Sequence, residues 1–249
     1  MKFVYSFLLI IFFCTLSFAQ EPAASYKLVE PKAIKQLKSI RNKIGSIDNL
    51  DKVYKDNEHA NGILYHTYVP QELKVSEKYP VVIFLHGYTD LTLDTHKGFP
   101  KGVWTLPSVQ KKNPHIVFLP RNRVKTEHWS HAEYRNRVIA AFDGFVKEIN
   151  NSADGPKIDL DRVYITGFSR GGQGTWNYVR NFPNKFAAAV PLSGFSHGPQ
   201  NAQEAAPIKH IPIWIFNGDG DKGVKGSRLS FKALKESGAK DVRYHEYKK

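Results

Sequence analysis

Ser169 stands in Gly167-Phe168-Ser169-Arg170-Gly171, directly after the apolar run Val163-Tyr164-Ile165-Thr166 and directly before the helical pattern Gly172-Gln173-Gly174-Thr175-Trp176. A hydroxyl carried on a sharp strand-to-helix turn is presented for nucleophilic attack, and glycine on both sides relieves the crowding that such a turn creates. The helix start behind the serine adds backbone N–H groups and a positive dipole end, which suit negative charge developing on a carbonyl oxygen. The chemistry this spacing points to is acyl transfer through Ser169. The alternative is a purely structural glycine-rich turn.

Three further segments bear on that chemistry. Leu85-His86-Gly87-Tyr88-Thr89-Asp90 follows the most apolar run of the chain, Val81 to Leu85. A loop there can aim a main-chain N–H at the same site, so the amides of Tyr88 and Arg170 form the expected two-donor oxyanion hole. His86 is expected to brace the loop by hydrogen bonding and not to act as a base. Asn217-Gly218-Asp219-Gly220-Asp221-Lys222-Gly223-Val224 follows the run Ile213 to Phe216 and offers two aspartates, Asp219 and Asp221, as the acid that orients a histidine. The order nucleophile, acid, histidine along the chain then calls for a histidine after the final strand, Val242 to Tyr247, and none follows it. His245 lies inside that strand pattern. His197, after Ala187 to Pro191, is the second-ranked histidine, and the others precede the acid loop.

The elements that must hold these residues are legible in the apolar periodicity. Short runs rich in β-branched and aromatic residues, at Ile63–Val69, Val81–Leu85, Ile116–Leu119, Val163–Thr166, Ala187–Pro191, Ile213–Phe216 and Val242–Tyr247, predict strands. Near-continuous apolar runs such as Val81-Val82-Ile83-Phe84-Leu85 are those of strands covered on both faces, as in a mostly parallel sheet. Helical patterns lie between them at Glu133–Ile149, Gly172–Phe182 and Ser227–Ser237. Together they predict one α/β sandwich in which ligands bind beyond the carboxyl ends of the strands. Trp104, Trp129 and Trp176 are expected in the core, with a place in a carbohydrate or aromatic acyl site as the alternative.

The 249 residues are 41% apolar and 24% charged, which excludes a disordered, collagenous or coiled-coil chain. Residues 1–19 read as a cleaved export signal: Met1-Lys2, an apolar stretch from Phe3 to Phe18, then Ser17-Phe18-Ala19 before cleavage at Gln20. The apolar stretch falls short of the roughly 20 residues a membrane span needs, so no stable membrane anchor is expected. The expected location is secreted or periplasmic. Cys14 lies within the signal, so the mature chain has no cysteine and must be stabilised by its core alone. Residues 20–58 are expected to form a helical extension, with Ile34, Leu37, Ile40 and Ile44 at helical spacing. The remaining domain is then 59–249. The net charge of +13 is read as a well-solvated basic surface, with attraction to acidic polysaccharide or anionic lipid head groups as the alternative; an exported chain with no recognisable binding module is not expected to bind nucleic acid.

The run Asp161-Arg162-Val163-Tyr164-Ile165-Thr166-Gly167-Phe168-Ser169-Arg170-Gly171-Gly172, with Phe186 to Pro191 and Ile211 to Phe216, resembles the α/β-hydrolase superfamily. Within it the chain is similar to the predicted-peptidase and polyhydroxybutyrate-depolymerase-like esterases, which resemble feruloyl and acetylxylan esterases. The resemblance implies an α/β-hydrolase fold and a serine carboxylic ester hydrolase acting on small-molecule or polysaccharide-linked esters, with no metal or cofactor. A serine peptidase and a non-catalytic binding protein are the alternatives. Gly218, Asp221 and Val224 match the pattern His-Gly-x-x-Asp-x-x-Val of these esterases, which selects Asp221 as the catalytic acid and leaves Asp219 as a turn residue. Asn217 replaces the usual histidine of that pattern and should alter loop bracing only. Arg170 replaces a usually apolar residue and should bring positive charge to the pocket mouth. The histidine that the resemblance implies would lie past Lys249, so the domain is expected to be C-terminally incomplete, without the last loop and closing helix.

Overall fold

Along Lys78–Leu85, the side chains of Val81, Ile83 and Leu85 enter one buried cluster while those of Val82 and Phe84 enter another. A strand alternates its side chains between two faces, so a run apolar at every position has to be sandwiched. This computed structural model describes residues 54–88, 101–122 and 127–248, apart from the side chains of residues 101, 102 and 196. The expected signal and the expected helix around Ile34 to Ile44 lie outside the described residues.

Among the described residues eight strands form a single sheet: β1 (Lys55–Glu58), β2 (Leu64–Tyr68), β3 (Lys78–Leu85), β4 (Ile116–Arg121), β5 (Lys157–Phe168), β6 (Ala188–Leu192), β7 (Ile213–Gly218) and β8 (Val242–Tyr247). Their spatial order is β1-β2-β4-β3-β5-β6-β7-β8. β1–β2 and β2–β4 are antiparallel, and every pairing from β4–β3 to β7–β8 is parallel. The helices are α1 (Lys101–Trp104), α2 (Pro107–Lys112), α3 (Ala132–Asn151), α4 (Arg170–Asn181), α5 (Ala202–Ala205) and α6 (Val224–Glu236). Phe142 and Phe145 of α3, Trp176 and Val179 of α4, and Ala233 and Leu234 of α6 pack on one sheet face with Ile83, Ile165 and Ile215. Trp104 of α1 packs on the opposite face with Phe84, Leu192 and Phe216.

All seven expected strands are present in the expected order, and the mostly parallel α/β architecture is as the sequence implied. The sheet begins at Lys55, inside the stretch read as a helical extension ending at residue 58. Lys55, Asp56, Asn57 and Glu58 pair with Thr67, His66, Tyr65 and Leu64 as an edge strand. An edge strand needs little apolar surface, which is why this polar segment carried no strand signal. Trp104, Trp129 and Trp176 are all buried, so the core reading of the three tryptophans holds.

Candidate active site

Ser169 sits between the end of β5 and the start of α4 with φ 56° and ψ −114°. That is a rare backbone conformation for a residue with a side chain, and it persists only where its surroundings enforce it. They do so through the two flanking glycines. A Cβ on Gly171 would lie 1.8 Å from the Leu85 carbonyl oxygen, and one on Gly167 would lie 2.4 Å from the Gly171 carbonyl oxygen. β3, β5 and α4 therefore meet at a contact that no other residue type permits. The Ser169 N–H donates to the Leu192 carbonyl at the end of β6 (2.9 Å), and the Ser169 carbonyl receives the first helical bond, from the Gln173 N–H (3.0 Å).

A serine at a helix N-cap ordinarily turns its hydroxyl back onto the amides of the first turn. Ser169 does not: its positive φ directs the side chain elsewhere, and it makes no capping hydrogen bond. It is half-buried, and its Oγ has no hydrogen-bond partner among the described residues. The helix start adjoining it supplies the positive end of the α4 dipole.

The loop after β3 lies against this turn, because a Cβ on Gly87 would stand 3.8 Å from the Ser169 Cβ and 3.4 Å from the Phe168 carbonyl. Buried His86 holds the loop in place. Its Nε2 accepts from the Asn122 N–H (3.1 Å), so its proton resides on Nδ1, which donates to the Gly87 carbonyl (2.8 Å). The His86 carbonyl accepts from Trp129 Nε1 (3.0 Å). With both ring nitrogens engaged, His86 braces the loop.

Tyr88 and Arg170, whose amides the sequence nominates as oxyanion donors, flank Ser169 on this loop and on the first turn of α4. Their side chains meet as well: the Arg170 guanidinium stacks 5.5 Å over the Tyr88 ring and donates to the Glu127 carbonyl (2.8 Å). Arg170 is buried, and burial holds its pKa below the ordinary guanidinium value. The guanidinium expected to bring positive charge to the pocket mouth thus lies against an aromatic face and a carbonyl.

Of the two aspartates after β7, Asp219 is exposed, with its N–H donating to the Tyr247 carbonyl (2.8 Å). Asp221 is half-buried, and its Oδ2 accepts from Ser193 Oγ (2.9 Å), Asn217 Nδ2 (3.3 Å) and the Gly218 N–H (3.3 Å). Asn217, at the position that departs from the esterase pattern, acts as a brace: its Oδ1 accepts from Ser227 Oγ (2.9 Å), tying the acid loop to α6.

Neither ranked histidine serves Asp221. His245 Nδ1 accepts from Trp214 Nε1 (3.4 Å) on the face of β8, and His197 lies in the 3-10 turn Phe195–His197, where its carbonyl accepts from Arg180 (3.4 Å). Among the described residues no histidine ring lies within hydrogen-bond distance of Ser169 or Asp221. Sequence reasoning passed over two features. Ser193 follows β6 at the ligand-binding end of the sheet, a position that could have flagged it. His128 lies near Arg170, His131 and His197 and has no motif to mark it.

The strand order, the parallel core and a serine on the β5–α4 turn define the α/β-hydrolase class. Within it, the chain belongs to the dienelactone hydrolase family, whose sequence pattern matches residues 120–247. It is 28% identical over 157 residues to a bifunctional acetylxylan esterase/xylanase of Neocallimastix patriciarum, covering 62% of this chain and 21% of that protein. It is 25% identical over 156 residues to feruloyl esterase B of Neurospora crassa, covering 61% of this chain and 51% of that protein. A solved thermostable esterase superposes with a TM-score of 0.63 at 31% identity, covering 79% of this chain and 54% of that one. The chain thus spans about a fifth of the first of these proteins and about half of the other two.

Proposed function

We propose that the protein is an exported serine carboxylic ester hydrolase that works through an acyl-enzyme on Ser169. The observation that carries the reading is the Ser169 turn: a serine at φ 56°, fixed by glycines that tolerate no Cβ, with a hydroxyl that caps no helix. Ser169 Oγ attacks the ester carbonyl carbon while its proton passes to a histidine oriented by Asp221. The amides of Tyr88 and Arg170 hold the oxyanion of the tetrahedral intermediate. The C–O bond to the alcohol then breaks, and the histidine returns the proton to the departing oxygen. Water, deprotonated by the same histidine, attacks the acyl-serine, releases the carboxylic acid and restores the hydroxyl. The acetylxylan and feruloyl esterases among the relatives support small or polysaccharide-linked esters as substrates. The N-terminal sequence supports export to the periplasm or beyond.

The test is hydrolysis of a short-chain nitrophenyl ester by the purified protein. Ser169→Ala should abolish turnover, by roughly a million-fold if the triad acts as a unit; undiminished turnover would remove Ser169 from the mechanism. A second reading, a binding protein that uses the same pocket without chemistry, is favoured by the lack of a histidine beside Asp221 among the described residues. Saturable ester binding with no turnover and no acylation of Ser169 would establish it.

A further inference from the structure

The turn after β6 is strained at two residues with side chains: Ser193 has φ 48° and Phe195 has φ 54°. Ordinary turn chemistry would place glycine or asparagine at such angles. Glycine is present in the turn, but at position 194, between the strained residues, where closeness explains it: a Cβ there would lie 2.8 Å from the Gly172 carbonyl oxygen and 2.9 Å from Trp176 Cδ1 on α4. On the other side, a Cβ on Gly223 of the acid loop would lie 2.3 Å from Phe195 Cδ1. The strained turn is thus wedged between the helix behind Ser169 and the loop that carries Asp221.

Hydrogen bonds run through the same turn in both directions. The Leu192 carbonyl accepts from the Ser169 N–H, the Ser193 N–H donates to the Phe216 carbonyl on β7 (2.8 Å), and buried Ser193 Oγ donates to Asp221 Oδ2 (2.9 Å). This hydroxyl makes the shortest of the three bonds to Asp221, and all three fall on Oδ2. Oδ1 has no partner among the described residues. A carboxylate that orients a histidine needs one oxygen anchored and the other available to the imidazole N–H.

Resting on the proposed role of Asp221, we infer that Ser193 is the positioning residue of the catalytic acid. Its hydroxyl fixes the rotation of the carboxylate so that Oδ1 meets the histidine, and its strained backbone sets the span between the acid and the Ser169 turn. Ser193 touches no reacting atom; it acts through Asp221.

The experiment is steady-state ester hydrolysis by the full-length protein, for Ser193→Ala, Ser193→Gly, Asp221→Ala and the double variant Ser193→Ala/Asp221→Ala, with melting temperatures for each. Both Ser193 variants lose the hydroxyl, but glycine also releases the strain. The expected result is a fall in kcat of about tenfold to a hundredfold in both variants, the range for a hydrogen bond to a charged group, with KM within twofold. In the Asp221→Ala background, Ser193→Ala should have no further effect on kcat. A kcat within twofold of the parent in folded Ser193→Ala, while Asp221→Ala is severely impaired, overturns the inference and leaves the acid assignment standing. So does an effect of Ser193→Ala that multiplies with that of Asp221→Ala. Full turnover in Asp221→Ala would instead overturn the acid assignment, and this inference with it.

Discussion

Asp219 and Asp221 lie two residues apart on one loop and are chemically identical, yet the fold treats them differently. Asp221 has one carboxylate oxygen held by three donors from β6, β7 and their loops, whereas Asp219 faces solvent. A side chain that must orient a base needs that fixity; an exposed one gains nothing from position. Asp221→Ala should therefore lower kcat/KM by about 10⁴-fold, the scale of loss for a triad acid, and Asp219→Ala should change it less than threefold. Equal effects in nitrophenyl ester hydrolysis would overturn the assignment. Sequence alone left the two aspartates level until resemblance separated them, because the shortest discriminating bond comes from Ser193 Oγ, in the turn after β6 and 28 residues earlier in the chain. Arg170 is the opposite case. Its charge was legible and its destination was not, since the stacking partner Tyr88 lies 82 residues earlier in the chain.

At the scale of elements, the serine turn is a three-way joint of β3, β5 and α4, and Gly171 is its tightest point. An added methyl group there would overlap the Leu85 carbonyl at 1.8 Å and press on the His86 carbonyl at 2.9 Å. Leu85 is the last residue of β3 paired with β5, opposite Gly167, and His86 follows it directly, so moving the Leu85 carbonyl disturbs the β3–β5 pairing beside the serine turn. Gly171→Ala should cost about 3 kcal/mol or more, at the upper end of overpacking penalties. Urea unfolding should show a lower midpoint or no folded protein at all, and an unchanged midpoint would mean that the joint has slack. The sequence announced this joint because its glycines and its apolar strand are local signals. It understated β5, which starts at Lys157, six residues before the expected start. Asp159, Leu160, Asp161 and Arg162 are not buried, so they broke the apolar pattern while the backbone stayed extended. The short α2, Pro107–Lys112, likewise gave too few turns for a period to register.

For the molecule as a whole, His128 links stability to pH. It lies before α3 with Nδ1 accepting from the Ser130 N–H (3.2 Å) and the Ser130 hydroxyl (2.6 Å), so the ring is neutral and its proton is on Nε2. Burial first, then the positive charge of Arg170 and the neighbouring His131 and His197, push its pKa from 6.5 down to about 4. A histidine depressed in this way stays unprotonated in the folded protein while the unfolded chain takes up a proton. Its contribution is therefore fully present above pH 6.5 and is lost as pH falls from there through about 4. The ring is partly solvated, so screening reduces the effect to the order of 1 kcal/mol. The chain already carries a net charge of +13, and each added proton also raises self-repulsion in the compact state, in the same direction. His128→Asn keeps an acceptor near the Ser130 hydroxyl and removes the titration. Its melting temperature should therefore fall less steeply than the parent's between pH 7 and pH 4, with the two curves converging toward the acid end. Parallel curves would show that acid destabilisation comes from the carboxylates alone, such as Glu246, whose pKa is held low by its bond to Arg228.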